Sequence, residues 1–128
     1  MKKNNPVNWF EIYVNDMQRA QQFYETVFQV KLTELPNVSN HDDMQYLTFP
    51  SSLESFGTSG ALVKVKEVKA GGNSIIIYFH CEDCAVEESR VEAAGGKILR
   101  PKTAIGEYGF VSLIYDTEGN MIGLQSMK

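Results

Sequence analysis

Apolar and polar residues alternate along Trp9-Phe10-Glu11-Ile12-Tyr13-Val14. This is the period of a strand, with Phe10, Ile12 and Val14 on one face and Trp9, Glu11 and Tyr13 on the other. The period then changes: Met17, Ala20, Phe23, Tyr24, Val27 and Phe28 recur at helical spacing. Asn15 or Asp16 can cap that helix, because a short side-chain oxygen accepts the N–H groups left unpaired in a first turn. Strand and helix each present an apolar surface, and each has the other to bury against.

The same order of events returns sixty-seven residues later, so that Asn8 to Val27 is echoed by Ile75 to Ala94. The shift lays Ile77, Phe79 and Cys81 on Phe10, Ile12 and Val14, Asp83 on Asp16, and Cys84 on Met17. The echo fades along the second helix, where Glu87 and Arg90 replace Ala20 and Phe23 and only Val91 and Ala94 keep the inner stripe. That helix is expected to be shorter and wetter than the first, and to stop at Gly95-Gly96, since glycine takes the left-handed C-cap conformation without steric cost.

Strand-like segments follow each helix: Lys31 to Glu34, Gln45 to Phe49 and Ala61 to Val68, then Lys97 to Arg100, Phe110 to Tyr115 and Met121 to Ser126. Asp116-Thr117-Glu118-Gly119-Asn120 reads as a tight hairpin connection. Its first-half counterpart, Pro50 to Gly60, is longer and rich in Ser and Gly, as befits a mobile rim loop. Ala70-Gly71-Gly72-Asn73 links the halves. The pattern predicts one α+β domain over residues 1–128, made of two βαβββ modules at about 6–69 and 73–127.

A chain of 128 residues with 43% hydrophobic content can bury an ordinary core without staples. Its net charge of -4, with twelve scattered Lys and Arg, argues against nucleic acid or an anionic membrane as partner. Small molecules or proteins are the expected partners. The basic start Met1-Lys2-Lys3 lacks a following apolar run, and the longest apolar run, Ile75 to Phe79, is too short to cross a bilayer. A cytoplasmic location is expected. Cys81 and Cys84 occupy core positions of the repeat, where cysteine packs as a small hydrophobe; their C-x-x-C spacing lacks the partners of a zinc or haem site.

Phe10-Glu11-Ile12-Tyr13-Val14-Asn15-Asp16 leading into Ala20-Gln21-Gln22-Phe23-Tyr24, then Val91-Glu92-Ala93-Ala94-Gly95-Gly96, then Asp116-Thr117-Glu118-Gly119-Asn120 before Ile122, together resemble the vicinal oxygen chelate superfamily. That superfamily includes glyoxalase I, extradiol dioxygenases, and fosfomycin and bleomycin resistance proteins. The resemblance covers nearly the whole chain. It implies an open, cup-shaped eight-stranded mixed sheet, often completed in a homodimer, and in metal-dependent members a divalent ion held by His, Gln or Glu from four strands. The positions it assigns to ligands are Trp9, Ile76 and Gly123, with the fourth among Gly60, Ala61 and Leu62. None carries a ligand side chain, so no cofactor is expected, and a divalent ion would require displaced ligands.

On the face of Trp9, parity places Glu11 and Tyr13, and the repeat adds Tyr78 and His80. Glu11 stands in mid-strand, where a carboxylate demands a partner: backbone, an Arg across a dimer contact, or a ligand. His80 can serve as base, ligand or rim residue. Glu107, between Gly106 and Gly109, is either a pocket acid or a solvated turn residue; Gln125 shares parity with Gly123; Phe110 offers stacking area. His41, beside Asp42 and Asp43, reads as a solvated charge cluster. No catalytic residue is assigned. Of three readings the first is favoured: a metal-independent small-molecule binder, ahead of a metal-dependent lyase, isomerase or dioxygenase drawing displaced ligands from Glu11, His80, Glu107 and Gln125, and of an interaction module whose aromatic face meets another subunit.

Overall fold

The computed structural model describes residues 5–34, 44–52, 54–66 and 68–128; the His41 cluster lies outside them. Each half runs strand, helix, three strands. The first holds β1 (Phe10–Tyr13), α1 (Met17–Phe28), β2 (Thr33–Glu34), β3 (Met44–Thr48) and β4 (Gly60–Val65). The second holds β5 (Tyr78–His80), α2 (Cys84–Val91), β6 (Lys97–Ala104), β7 (Phe110–Tyr115) and β8 (Met121–Ser126), with a one-turn 3-10 helix at Gly106–Tyr108. Strand order is β1-β4-β3-β2 in one sheet and β5-β8-β7-β6 in the other, each with its first strand parallel to its last.

Local chemistry explains the elements. Asp16 is the N-cap of α1, accepting from the Arg19 N–H at 3.1 Å, and Asp83 caps α2 through the Ala85 N–H at 3.0 Å. With eight residues against twelve, and only Cys84 and Val91 buried, α2 is indeed the shorter and wetter helix. Its regular turns end at Val91, one turn before Gly95, which takes φ +99°. By contrast, α1 ends on Gln29 in the left-handed region. Strand β6 runs past the expected Arg100 to Ala104, because the register shifts between Arg100 and Thr103, which lets Pro101, a residue without an N–H, sit in the ladder. The second repeat yields less strand than its apolar run suggested, since only Tyr78 to His80 pair regularly.

Ile12, Val14, Phe23, Tyr24, Val27, Cys81, Val91, Ile114, Ile122 and Leu124 form one core shared by both modules. The expected α+β architecture of eight strands in two βαβββ modules is present, the strands falling in two mixed four-stranded sheets, one per module. Their first strands meet through side chains: the Phe10 and Phe79 rings lie edge to face with centroids 5.9 Å apart.

The 116–120 turn ties one end of this seam. Asp116, 4% exposed, accepts the Tyr24 hydroxyl at 2.7 Å, the N–H groups of Glu118 and Asn120 at 2.8 Å each, and the Asn120 amide at 3.0 Å. Asn120 also donates to the Tyr13 carbonyl at 2.9 Å. Glu118 accepts the N–H groups of Asn15 and Asp16 at 2.9 Å each and pairs with Arg19 at 2.7 Å. Burial works to raise the Glu118 carboxyl, but the Arg19 guanidinium, the two N–H groups and the Thr117 hydroxyl together bring it down to about 2. Module two thereby holds the end of β1 and the start of α1 in place.

Candidate functional site

The exposed face of module one gathers the first group of expected residues. Tyr13 donates its hydroxyl to Glu11 at 2.9 Å, and the Trp9 indole N–H donates to the other Glu11 oxygen at 3.3 Å. Two-residue spacing on β1 produces this, since i and i+2 side chains stand on one face. The hydrogen bond to Glu11, with burial and the carboxylate charge, pushes the Tyr13 phenol up to about 12. Tyr46 joins from β3, in the cross-sheet row Tyr13, Val63, Tyr46; burial, then the Glu11 charge, raises its phenol too. Sequence parity could not identify Tyr46, because antiparallel register decides its neighbours.

Beside Glu11 and Tyr13 opens a cavity of about 280 Å³, walled by Ile75, Ile77 and Met121 from module two and by the linker around Ala70 and Gly71. The linker is fixed there by its backbone: Ala70 N–H donates to the Asn15 side chain and Gly71 N–H to that of Asn120, at 3.0 and 2.9 Å. The linker wall comes from a segment that the sequence offered only as a connection.

A second group forms on module two. The His80 Nδ1 stands 3.5 Å from the Gln125 side-chain oxygen Oε1, and the Gln125 side-chain Nε2 donates to the Tyr108 carbonyl at 3.0 Å. Tyr78 lies flat against Gly123, where an added Cβ would come within 2.3 Å of its ring. His80, Tyr78 and Tyr108 are all exposed. Among the described residues, no hydrogen bond joins this group to that of Glu11.

Two expected members lie elsewhere. Phe110 pairs with Ser126, one residue out of phase with Gln125, so it turns to the helix side. There it packs on the core beneath Lys102, whose ammonium sits 4.6 Å from the ring centroid and 2.8 Å from Asp83. Glu107 occupies the exposed 3-10 turn, and the group its segment brings to Gln125 is the Tyr108 carbonyl.

Register settles the fourth ligand position. Ala61 is the partner of Glu11 as Gly123 is the partner of Tyr78, so the repeat makes Ala61 the counterpart of Gly123. Trp9, Ala61, Ile76 and Gly123 offer indole, methyl, alkyl and no side chain at all, and nothing there fits a divalent ion. Among the described residues, no three His, Cys, Asp or Glu side chains gather as a metal site would need.

Residues 7–124 match the Glyoxalase/Bleomycin resistance protein/Dioxygenase superfamily, and the chain belongs to it. Its fold is shared with TnmS3, an antibiotic binding protein from Streptomyces sp. CB03234, at TM-score 0.72 and 20% identity over 98% of each chain. It is also similar to glyoxalase I from Zea mays, at TM-score 0.72 and 21% identity over 95% of this chain and 46% of that one. A third similar structure, hypothetical protein SA1046 from S. aureus, gives 0.71 and 16% over 97% and 95%. No curated protein sequence matches this chain. Among the described residues, no helix is long and apolar enough to cross a membrane.

Proposed function

We propose that this chain binds a small organic molecule on the helix-free face of module one without the superfamily's metal, with Glu11 as the anchor. The observation that carries the reading is the Glu11 carboxylate itself, half-buried in mid-strand and surrounded by the Trp9 indole and the Tyr13 and Tyr46 phenols beside an apolar cavity. Such a site suits a ligand with an apolar or aromatic body and a cationic or hydroxyl group, stacking on rings while the carboxylate fixes orientation. The likeness to an antibiotic binding protein supports a ligand of that size. In this reading the protein is a cytoplasmic homodimer. The free thiols of Cys81 and Cys84 suit a reducing compartment, and the exposed Trp9 and Tyr78 rings are available to a second subunit.

Trp9 is the single tryptophan, so its fluorescence reports on this site directly. Titration with bleomycin, a cationic probe, is expected to quench it saturably. Glu11→Gln should weaken binding roughly tenfold or more, as befits a hydrogen bond to a charged group. Elemental mass spectrometry of the purified protein should find no stoichiometric transition metal. One firmly bound ion per chain would overturn this reading in favour of the metal-dependent enzyme.

A further inference from the structure

We propose a second ligand site, on the helix side of the molecule, that takes an organic ammonium ion with an aromatic or branched apolar body. A chamber of about 600 Å³ lies between the end of α1, the inner side of α2 and the 56–59 segment. Phe10, Phe28, Phe49 and Phe79 line it, and Phe56 closes its rim against the His80 ring, with centroids 5.6 Å apart. One charged side chain is set among the rings. Glu87 projects from α2 into the lining, and its Oε1 is buried with no hydrogen-bond partner among the described residues.

The repeat makes that carboxylate informative. Glu87 occupies the position where α1 buries Ala20 completely, so module two carries a charge where module one carries a methyl group. The same acid lies beside the Cys81 thiol: after burial, its charge and then a hydrogen bond to it hold that thiol up at about 12. A buried carboxylate oxygen facing aromatic rings, with no stronger donor near it than a thiol, is costly in an empty chamber. A cation answers both demands, donating to the oxygen and meeting the negative ring faces. A neutral alcohol can answer only the first, and an anion is repelled. This site does not depend on Glu11, whose side chain stands on the opposite face of β1.

The test uses the full chain and three isosteric probes: 4-phenylbutylamine, 4-phenyl-1-butanol and 4-phenylbutyrate. Each is followed by calorimetry and by amide chemical shifts. The amine should bind with shifts centred on Phe56, Phe79 and Glu87, about tenfold tighter than the alcohol, with the butyrate weakest. Glu87→Gln should abolish the preference for amine over alcohol. Phe56→Ala, at a ring 89% exposed and outside the core, should lower amine affinity about threefold. Equal binding of amine and alcohol, a preference that survives Glu87→Gln, no binding, or shifts centred on Trp9 and Glu11 would each overturn the proposal. Trp9 fluorescence reads the Glu11 site separately, so failure of one site is distinguishable from failure of the other.

Discussion

At one end of the seam between the modules, the 116–120 turn reaches β1 and the first turn of α1 with two buried carboxylates, each of whose oxygens has a donor. At the other end, the 54–59 segment stands where the repeat would place a like turn, and it offers Phe56, 89% exposed, to the edge of His80. The first end is closed by a polar network; the second is left with an aromatic chamber and an orphaned Glu87 oxygen. A duplicated module thus need not duplicate its contacts. One copy of a symmetric joint suffices to fix two sheets, and the other copy is then free to open.

If that comparison is right, the largest effect should come from the closed end. Asp116→Ala strands the Tyr24 hydroxyl, two backbone N–H groups and the Asn120 amide. It should cost about 3–5 kcal/mol in urea unfolding, against less than about 0.5 for Phe56→Ala at the open end. Comparable losses at both ends would break the contrast.

The glycines of β4 and β8 sharpen it further. A Cβ on Gly60 would meet the Phe10 carbonyl oxygen at 2.2 Å, which is backbone and cannot turn aside, so Gly60→Ala should cost about 3 kcal/mol. The atoms nearest a Cβ on Gly123 belong to the Tyr78 ring, itself 49% exposed and able to swing away. Gly123→Ala should therefore cost about 1 kcal/mol, measured by the same denaturation.

Acid probes the closed end selectively. Glu118 titrates at about 2 in the folded chain against an ordinary 4.5, so its contribution is complete above pH 4.5 and is lost as the pH falls toward 2. Discounted for the half-exposed Arg19, it amounts to about 2 kcal/mol. Glu118→Gln should lower stability by that amount at pH 7, and thermal melts of variant and parent should converge near pH 2. A gap independent of pH would assign the effect to packing.

The smallest effect concerns the helix ends. Gln29 ends α1 at φ 55°, where the corresponding turn after α2 uses Gly95 at φ +99°. Gln29→Gly should raise stability by about 0.5 kcal/mol in calorimetry, because glycine enters that region without a Cβ clash.

Much of the scaffold was legible because its signals are local. Side-chain alternation assigned Phe10, Ile12 and Val14 to the core and Trp9, Glu11 and Tyr13 to the other face, and short polar side chains marked both helix starts. The candidate site was legible only within a strand. Trp9, Glu11 and Tyr13 meet because they are two residues apart, whereas Phe110 was grouped with them by its ring and is turned away by its register with Ser126. Tyr46, Ile75 and Met121 went unnoticed because their neighbours are distant in sequence.

By itself, then, the sequence determined the two modules, their inner and outer faces, and the lack of a ligating side chain at Trp9, Ile76 and Gly123. Periodicity and residue chemistry are properties of short stretches of chain. Only the tertiary structure decided that the eight strands form two sheets joined through Phe10 and Phe79. It also decided that Ala61 is the counterpart of Gly123, and that Glu11 and Glu87 face different cavities. Those outcomes depend on strand register and on how two apolar faces pack. Both are set by contacts between residues far apart in the chain, which no local pattern encodes.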